Sequence, residues 1–373
     1  MDTAITIIGA GVIGLAAGER ISENFSNVFI IEKHPSFGRE TSSRNSEVVH
    51  AGIYYPEGSL KAVLCVEGRE LLYDYCIKHE IPYNRCGKLI VATNREEVKV
   101  IRDIKETARR NGVKLEILDK DQIAALEPEI FAVNALYSPD TGIVDTHSLM
   151  KSLETGIIHN GGQMVYGSEV TGIRKLDKGY EIKLMDADGQ EFCFTTGIVI
   201  NSAGLYADRI AAMAGINDEN LAIHFCKGEY FRLKPPRNRL ISRLIYPVPY
   251  HNMEGIGIHA TVDLAGGVKL GPDVTYLDSN IQDYHVDVSK QEIFWRSAKK
   301  FLPFLSPDDL SPELAGIRPK TQKKGDPARD FYIAEESARG LKGFINLIGM
   351  ESPGLTSCLS IANYILNLVI NIE

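Results

Sequence analysis

TAITIIGAGVIGLAAGERISENFSNVFIIEK, residues 3–33, decides the fold of this chain. An apolar run ends at Ile8, glycines follow at positions 9, 11 and 14, and a second apolar run closes on Glu32 after a helix-like segment. Strand, glycine turn, helix, strand and acid, in that order, make a dinucleotide-binding unit. Gly9 permits the tight turn, Gly11 lets the backbone approach a pyrophosphate, and Gly14 lets the helix pack close to the strand. The helix N-terminus then offers unpaired N–H groups to the phosphates. Glu32 lies 18 residues beyond Gly14, where a carboxylate meets a ribose hydroxyl.

Composition narrows the partners. A chain of 373 residues is long for one core, so two lobes are expected. Its 41 basic and 49 acidic side chains give a formal charge of −8, and no basic run appears, which argues against nucleic acid. An acidic protein that binds an acidic substrate must gather its cations inside a pocket. The six cysteines (65, 76, 86, 193, 226 and 358) show no metal-type spacing and read as reduced thiols in the cytoplasm. Residues 355–372, LTSCLSIANYILNLVINI, are apolar, but Thr, Ser and Asn recur through them, so a buried helix is expected there and no membrane span. Peripheral contact with the inner face of a membrane is left open.

Beyond Glu32 the pattern changes. Residues 38–62 are rich in glycine and hydroxyls without periodicity, and 59–80 read as an amphipathic helix with Leu60, Leu64, Leu71, Leu72 and Tyr75 on its apolar face. KLIVATN (88–94) is a strand, and 95–112 a charged helix stopped by glycine. A helix capped by Asp145 or Thr146 ends at Gly161, and 164–204 alternate as several strands with a DADG hairpin turn at 186–189. A helix follows at 205–215. From 217 to 310 the chain is strand-rich, with EYFRLK, LIYPVP, GIGIHATV and VKLGPD, and a last strand, FINLIGM, precedes the final helix. The expected fold is α/β. A Rossmann-like lobe is assembled from 1–85, 140–216 and 311–373, and an α+β substrate lobe on a mixed or antiparallel sheet is inserted as 86–139 and 217–310.

The segments TSSRNSEVVHAGIYYPEGSLKAVLCVEG, TGIVDTHSLM, RLIYPVPYHNMEGIGIHATVD, VKLGPD, GIRPK and IGMESPGLTSCLSIA together resemble FAD-dependent oxidoreductases of the D-amino-acid oxidase type. That family includes glycine oxidase, sarcosine oxidase and glycerol-3-phosphate dehydrogenase, and within it the likeness is greatest to the L-2-hydroxyglutarate dehydrogenases/oxidases. The resemblance spans nearly the whole chain and implies FAD as cofactor. It places Glu32 and Lys33 beside the adenosine, and Val170 at the adenine. Thr41, Ser42, Ser43, Arg44, Asn45, Ser46, His50, Ala51 and Gly52 run along the pyrophosphate and flavin ring, whose contacts hydroxyl, backbone and guanidinium donors can supply. Ala203 and Gly204 end a strand where a side chain would crowd the dinucleotide. Gly349, Ser352, Gly354, Leu355 and Thr356 belong to the start of the last helix. Ser352 is a natural N-cap there and Pro353 suits the first turn. The positive end of that helix is expected to face the ring, where negative charge appears on reduction.

For the substrate, Arg318 in GIRPK is the expected carboxylate anchor, since a guanidinium on a Pro-flanked turn binds such a group bidentately. An alcohol must lose its hydroxyl proton as hydride leaves, which calls for a positioned base, whereas a neutral amine needs none. His259 is the favoured base, and His50 the flavin or substrate contact beside it. Lys227, Tyr54, Tyr246 and Lys269 are candidates for a second carboxylate. The expected reaction is oxidation of a small anionic 2-hydroxy acid, L-2-hydroxyglutarate above others, by hydride transfer to flavin N5, with oxygen, a quinone or another acceptor taking the electrons. The alternatives are a flavin amine or amino-acid oxidase, a glycerol-3-phosphate dehydrogenase, and a flavin-binding module without turnover.

Overall fold

The computed structural model describes residues 1–249, 257–278 and 280–372. The opening run forms the strand Thr3–Ile8, paired in parallel with Val28–Ile31 on one side and with the end of Glu191–Asn201 on the other. Gln163–Val165 extends the parallel array beyond Val28–Ile31, and Phe344–Ile348 extends it beyond Glu191–Asn201. Phe344–Ile348 is buried at every position, as expected of a strand covered on both faces. Three antiparallel strands complete the eight-stranded sheet. Ser168–Lys175 and Tyr180–Asp186 build out from Glu191–Asn201, across the expected DADG turn, and Tyr332–Glu335 flanks Phe344–Ile348.

Helices Val12–Ser22, Leu60–Lys78, Thr146–His159 and Gly354–Ile370 pack together against one face of this sheet. Gly14 and Gly18 make the first of them fit. A Cβ at Gly14 would lie 1.9 Å from the Gly9 carbonyl oxygen, and one at Gly18 would lie 2.9 Å from Ile157. Ser59 caps the second helix by accepting from the Ala62 N–H, and of the two candidates Asp145, not Thr146, caps the third. The helix expected from residue 205 is divided into a 3₁₀ turn, Gly204–Tyr206, and the short helix Ala207–Met213.

The second sheet has nine strands. His224–Leu233, Val268–Leu270, Ala260–Val262, Leu244–Pro247, Lys88–Ala92, Asn134–Ser138 and Glu116–Leu118 are neighbours in that order. All are antiparallel except Leu244–Pro247 beside Lys88–Ala92, so the sheet is mixed. Leu310–Lys320 pairs with His224–Leu233 over its whole length and therefore joins this sheet, although the segment from 311 onward was expected with the dinucleotide lobe. The same pairing makes GIRPK part of a strand and not a turn. Of the expected strand GIGIHATV, Gly255 and Ile256 fall outside the described residues, as do 250–254, and the described strand begins at Ala260.

Alternation divides this sheet into two unlike faces. Leu89, Ile245, Ala260, Val268, Leu270 and Phe231 face a core covered by the helices Arg95–Arg110 and Gln291–Ala298, with Phe231 and Phe294 rings 4.7 Å apart. Lys88, Tyr246, His259 and Lys269 are on the opposite face. No helix among the described residues is long and apolar enough to cross a membrane.

A buried polar chain ties the parallel strands together. Asn201 Nδ2 donates to the Ala207 carbonyl and to Asn346 Oδ1, and Asn346 Nδ2 donates to Glu336 Oε1. Asn346→Ala removes one buried hydrogen bond from each of Asn201 and Glu336, which keep their bonds to Ala207 and Tyr332, and is expected to lower stability by about 1–3 kcal/mol. Chemical denaturation would measure it, and an unchanged midpoint would contradict the account.

Candidate functional site

Two adjoining chambers of about 240 and 230 Å³ meet at the glycine turn. Gly11, Thr41, Ser42, Ser202 and Gly204 border both. The outer chamber continues past Glu32, Lys33, Arg39, Val170 and Tyr206. The inner one continues past Asn45, Ser46, His50, Tyr230, Tyr246, His259 and Arg318 to the start of the last helix at Gly354 and Leu355. A long ligand with a diphosphate at its middle fits this shape.

Local chemistry supports that fit. Gly9 has φ +104°, and a Cβ there would lie 2.6 Å from the Ser202 carbonyl oxygen. Gly204, also at positive φ, would place a Cβ in open space, so the chain there leaves the junction clear. Ser42 Oγ accepts from the Val12 N–H, which fixes the hydroxyl-rich loop onto the first turn of the helix. Glu32 Oε2 accepts from the Ala10 N–H and Oε1 from the His34 N–H, so the carboxylate is set at the chamber wall. Lys33 also borders this chamber, with Nζ paired to Glu40 at 2.8 Å and held 3.5 Å over the Tyr206 ring.

At the far end the last helix starts at Gly354, with Pro353 at its N-cap position. Ser352 is not the cap, because its Oγ instead meets His50 Nε2 at 3.2 Å. The backbone N–H groups of Leu355 and Thr356 donate to no group among the described residues, which leaves the positive helix end free to face an anion. The expected neighbours Ser43, Ala51, Gly52, Gly349 and Thr356 do not border either chamber. Ser43 is turned out to solvent, donating to the Glu40 carbonyl. Ala51 and Gly52 present their carbonyls to Arg69 and Asn111, away from the cavity. Gly349 serves the bend at φ +74°. Thr356 acts behind the wall, its Oγ1 accepting from the His50 N–H and donating to the Val48 carbonyl.

One side of the inner chamber is built on the polar face of the second sheet. Arg318 borders it with its guanidinium braced by three carbonyls, those of Cys226, Lys227 and Asp273. His259 Nδ1 lies 3.1 Å from the Gly257 carbonyl, which can only accept. The neutral ring therefore carries its proton on Nδ1 and keeps Nε2 as an acceptor. Its ring stacks on Tyr246 at 3.8 Å. Burial, then the positive charges of Lys88 and Arg318, push the His259 pKa down to about 3 against the Gly257 hydrogen bond. Burial, Lys88 and His259 hold His50 at about 3 as well. Both imidazoles are thus neutral near pH 7 before an anion arrives.

Three expected substrate residues lie elsewhere. Lys227 is buried with its ammonium 2.7 Å from Asp283 and 3.5 Å from Glu229, so its charge is already matched. Lys269 sits between Arg232 and Thr261 across the strands, and Tyr54 packs behind the wall. Tyr246 does border the chamber. Sequence reading passed over Tyr230, Lys88 and Glu351. Glu351 borders the inner chamber and is clasped by two lysines, Lys61 at 3.0 Å and Lys320 at 2.7 Å.

Fold and cavity together define a two-sheet dinucleotide-binding protein in which Tyr230, Tyr246 and Arg318 of the second sheet border the inner chamber. A family model for FAD dependent oxidoreductases matches residues 4–368. The chain belongs to this family and is an FAD-dependent oxidoreductase. Among its relatives, the mitochondrial L-2-hydroxyglutarate dehydrogenase of Arabidopsis thaliana is 38% identical, over 98% of this chain and 83% of that protein. The L-2-hydroxyglutarate dehydrogenase of Escherichia coli K12 is 28% identical, over 97% and 92%. Among solved structures, the L-alpha-glycerophosphate oxidase of Mycoplasma pneumoniae with FAD bound aligns with a TM-score of 0.88 and 26% identity, over 99% of this chain and 95% of that one. Glycine oxidase from Geobacillus kaustophilus shares the fold, with a TM-score of 0.81 at 21% identity over 99% and 95%.

Two outcomes check the site. Gly14→Ala drives a methyl into the Gly9 carbonyl, so the purified variant should lose most of its FAD, read as flavin absorbance per protein; full retention would contradict the packing argument. Burial alone would raise the Glu351 pKa, but Lys61 and Lys320 hold it at about 2, below its ordinary 4.5. The resulting stabilisation, on the order of 3 kcal/mol, is complete above pH 4.5 and lost as pH falls through 2. Glu351→Gln should therefore be much less stable than wild type at pH 7, and the gap should narrow as pH drops from 4.5. A gap independent of pH would refute the ion-pair reading.

Proposed function

We propose that this enzyme oxidises L-2-hydroxyglutarate to 2-oxoglutarate. The observation that carries the reading is the meeting of Arg318 and a neutral His259 in one chamber, in a chain whose relatives over nearly its full length are named for that substrate. Arg318 holds the carboxylate next to the reacting carbon, its orientation preset by the three carbonyls that brace it. His259 Nε2 removes the hydroxyl proton as the C–O bond becomes C=O, and the carbon loses hydrogen with two electrons. The chamber walls at Gly11, Thr41, Ser42 and Gly204 would hold FAD, which would supply the hydride acceptor and the route for the electrons to oxygen, a quinone or another acceptor.

His259 is a stronger base with substrate present than without it, since a nearby carboxylate favours the imidazolium. The Gly257 hydrogen bond fixes its tautomer and the Tyr246 stack its plane. The free N–H of Leu355 and the helix end behind it favour negative charge at this end of the chamber. An amine substrate would leave His259 without a task, which favours the alcohol over the amine-oxidase alternative.

Anaerobic mixing tests the reading. L-2-hydroxyglutarate should bleach the flavin absorbance, and glycine and sarcosine should not; the reverse pattern would overturn it. His259→Asn should keep its FAD yet turn over about 10²–10⁴-fold more slowly. Unchanged turnover would exclude His259 as the base.

A further inference from the structure

Lys88 is one of the most buried side chains in the molecule, at 1% exposure, and among the described residues it forms no ion pair. Lys61, Lys227 and Lys320 each have a carboxylate, and Arg318 a set of carbonyls; Lys88 has two aromatic faces. Its Nζ lies 4.7 Å from the centre of the Tyr246 ring and 5.3 Å from that of Tyr54. Burying an ammonium without an anion is costly, and ring faces offset only part of that cost.

The placement of this charge follows from strand order. Leu244–Pro247 lies between Lys88–Ala92 and Ala260–Val262, so the Tyr246 ring, on the middle strand, is flanked by Lys88 on one side and His259 on the other. Ammonium, phenol ring and imidazole form one layered stack, and its Tyr246 and His259 members border the inner chamber. The charged neighbours that act on His259 are Lys88 and Arg318, both cations. His50 and Cys65 also feel Lys88, and neither supplies a negative charge, because burial keeps His50 neutral and the Cys65 thiol protonated.

We infer that Lys88 is the specificity-determining cation for the second, distal carboxylate of a dicarboxylate substrate. The inference rests on the substrate reading given above. With one carboxylate at Arg318 and the hydroxyl at His259, the rest of a five-carbon chain extends along the wall formed by Tyr246, behind which the unpaired ammonium lies. Lys88 acts from behind that layer, through its field in a low-dielectric wall, and does not touch the reacting atoms. It takes the place of Lys227, whose charge is matched by Asp283, and of Lys269, which lacks the contact with Tyr246 that sets Lys88 behind the chamber wall.

The test compares the FAD-loaded wild type and Lys88→Met with two substrates, L-2-hydroxyglutarate and L-2-hydroxyvalerate, which carries a methyl in place of the distal carboxylate. In the variant, kcat/KM for the dicarboxylate should fall by about tenfold or more, mostly through KM, while that for the monocarboxylate changes little. Lys88→Arg should restore the preference. Lys88→Gln, read by the same ratio, serves if the methionine variant does not fold. A wild-type preference for the dicarboxylate that survives removal of the charge would overturn the assignment of Lys88 alone. A wild type that shows no such preference would overturn the substrate reading, and the Lys88 assignment with it.

Discussion

The contact between the Gly14 α-carbon and the Gly9 carbonyl is the constraint on which the rest depends. With no room for even a methyl group between them, the first helix sits directly on the end of the first strand, and Ser202 closes the other side through bonds to the Ile8 and Gly9 carbonyls. This fixes the junction of the two chambers. Everything functional is measured from that junction: Glu32 and Val170 in one direction, and the last helix, His50 and the second sheet in the other.

Charge is the second organising element. The protein is acidic overall, yet cations lie in and behind the wall of its inner chamber. Arg318 is braced by carbonyls and so keeps its full charge, Glu351 is shared by two lysines, and Lys88 is left to aromatic rings. A dianionic ligand entering the inner chamber meets Arg44 and Arg318 against the single carboxylate of Glu351, despite the protein's formal charge of −8. Burial first, and this positive field in addition, hold both imidazoles neutral.

How much of this was legible depended on how local each feature is. The glycine turn, its acid and the flanking strands are encoded within thirty residues, and they could be read because turn chemistry and periodicity act over short range. The capping residues Ser59 and Asp145 were legible for the same reason. The site on the second sheet was only partly so. His259, Tyr246 and Arg318 came from motifs, but the strand character of GIRPK depends on pairing with residues about ninety positions earlier. Lys227 looked available because its partner Asp283 lies 56 positions away. Lys88 opens an apolar strand and carries no local mark at all; its importance arises from which strand lies next to it. Ser352 has the chemistry of a helix cap, and only the tertiary approach of His50 diverts it. The helix Gln291–Ala298, within a stretch read as strands, is decided by its packing on Phe231.

The central claim is that one cavity carries the cofactor across the glycine turn and presents its reactive ring to Arg318 and His259. A crystal structure of the protein with FAD and 2-oxoglutarate tests it most directly. The account predicts the diphosphate against the Gly9–Gly14 turn, a carboxylate of the keto acid on Arg318, and its keto oxygen within hydrogen-bonding reach of His259. A keto acid bound on the far side of the ring from the second sheet, or a diphosphate away from that turn, would contradict it.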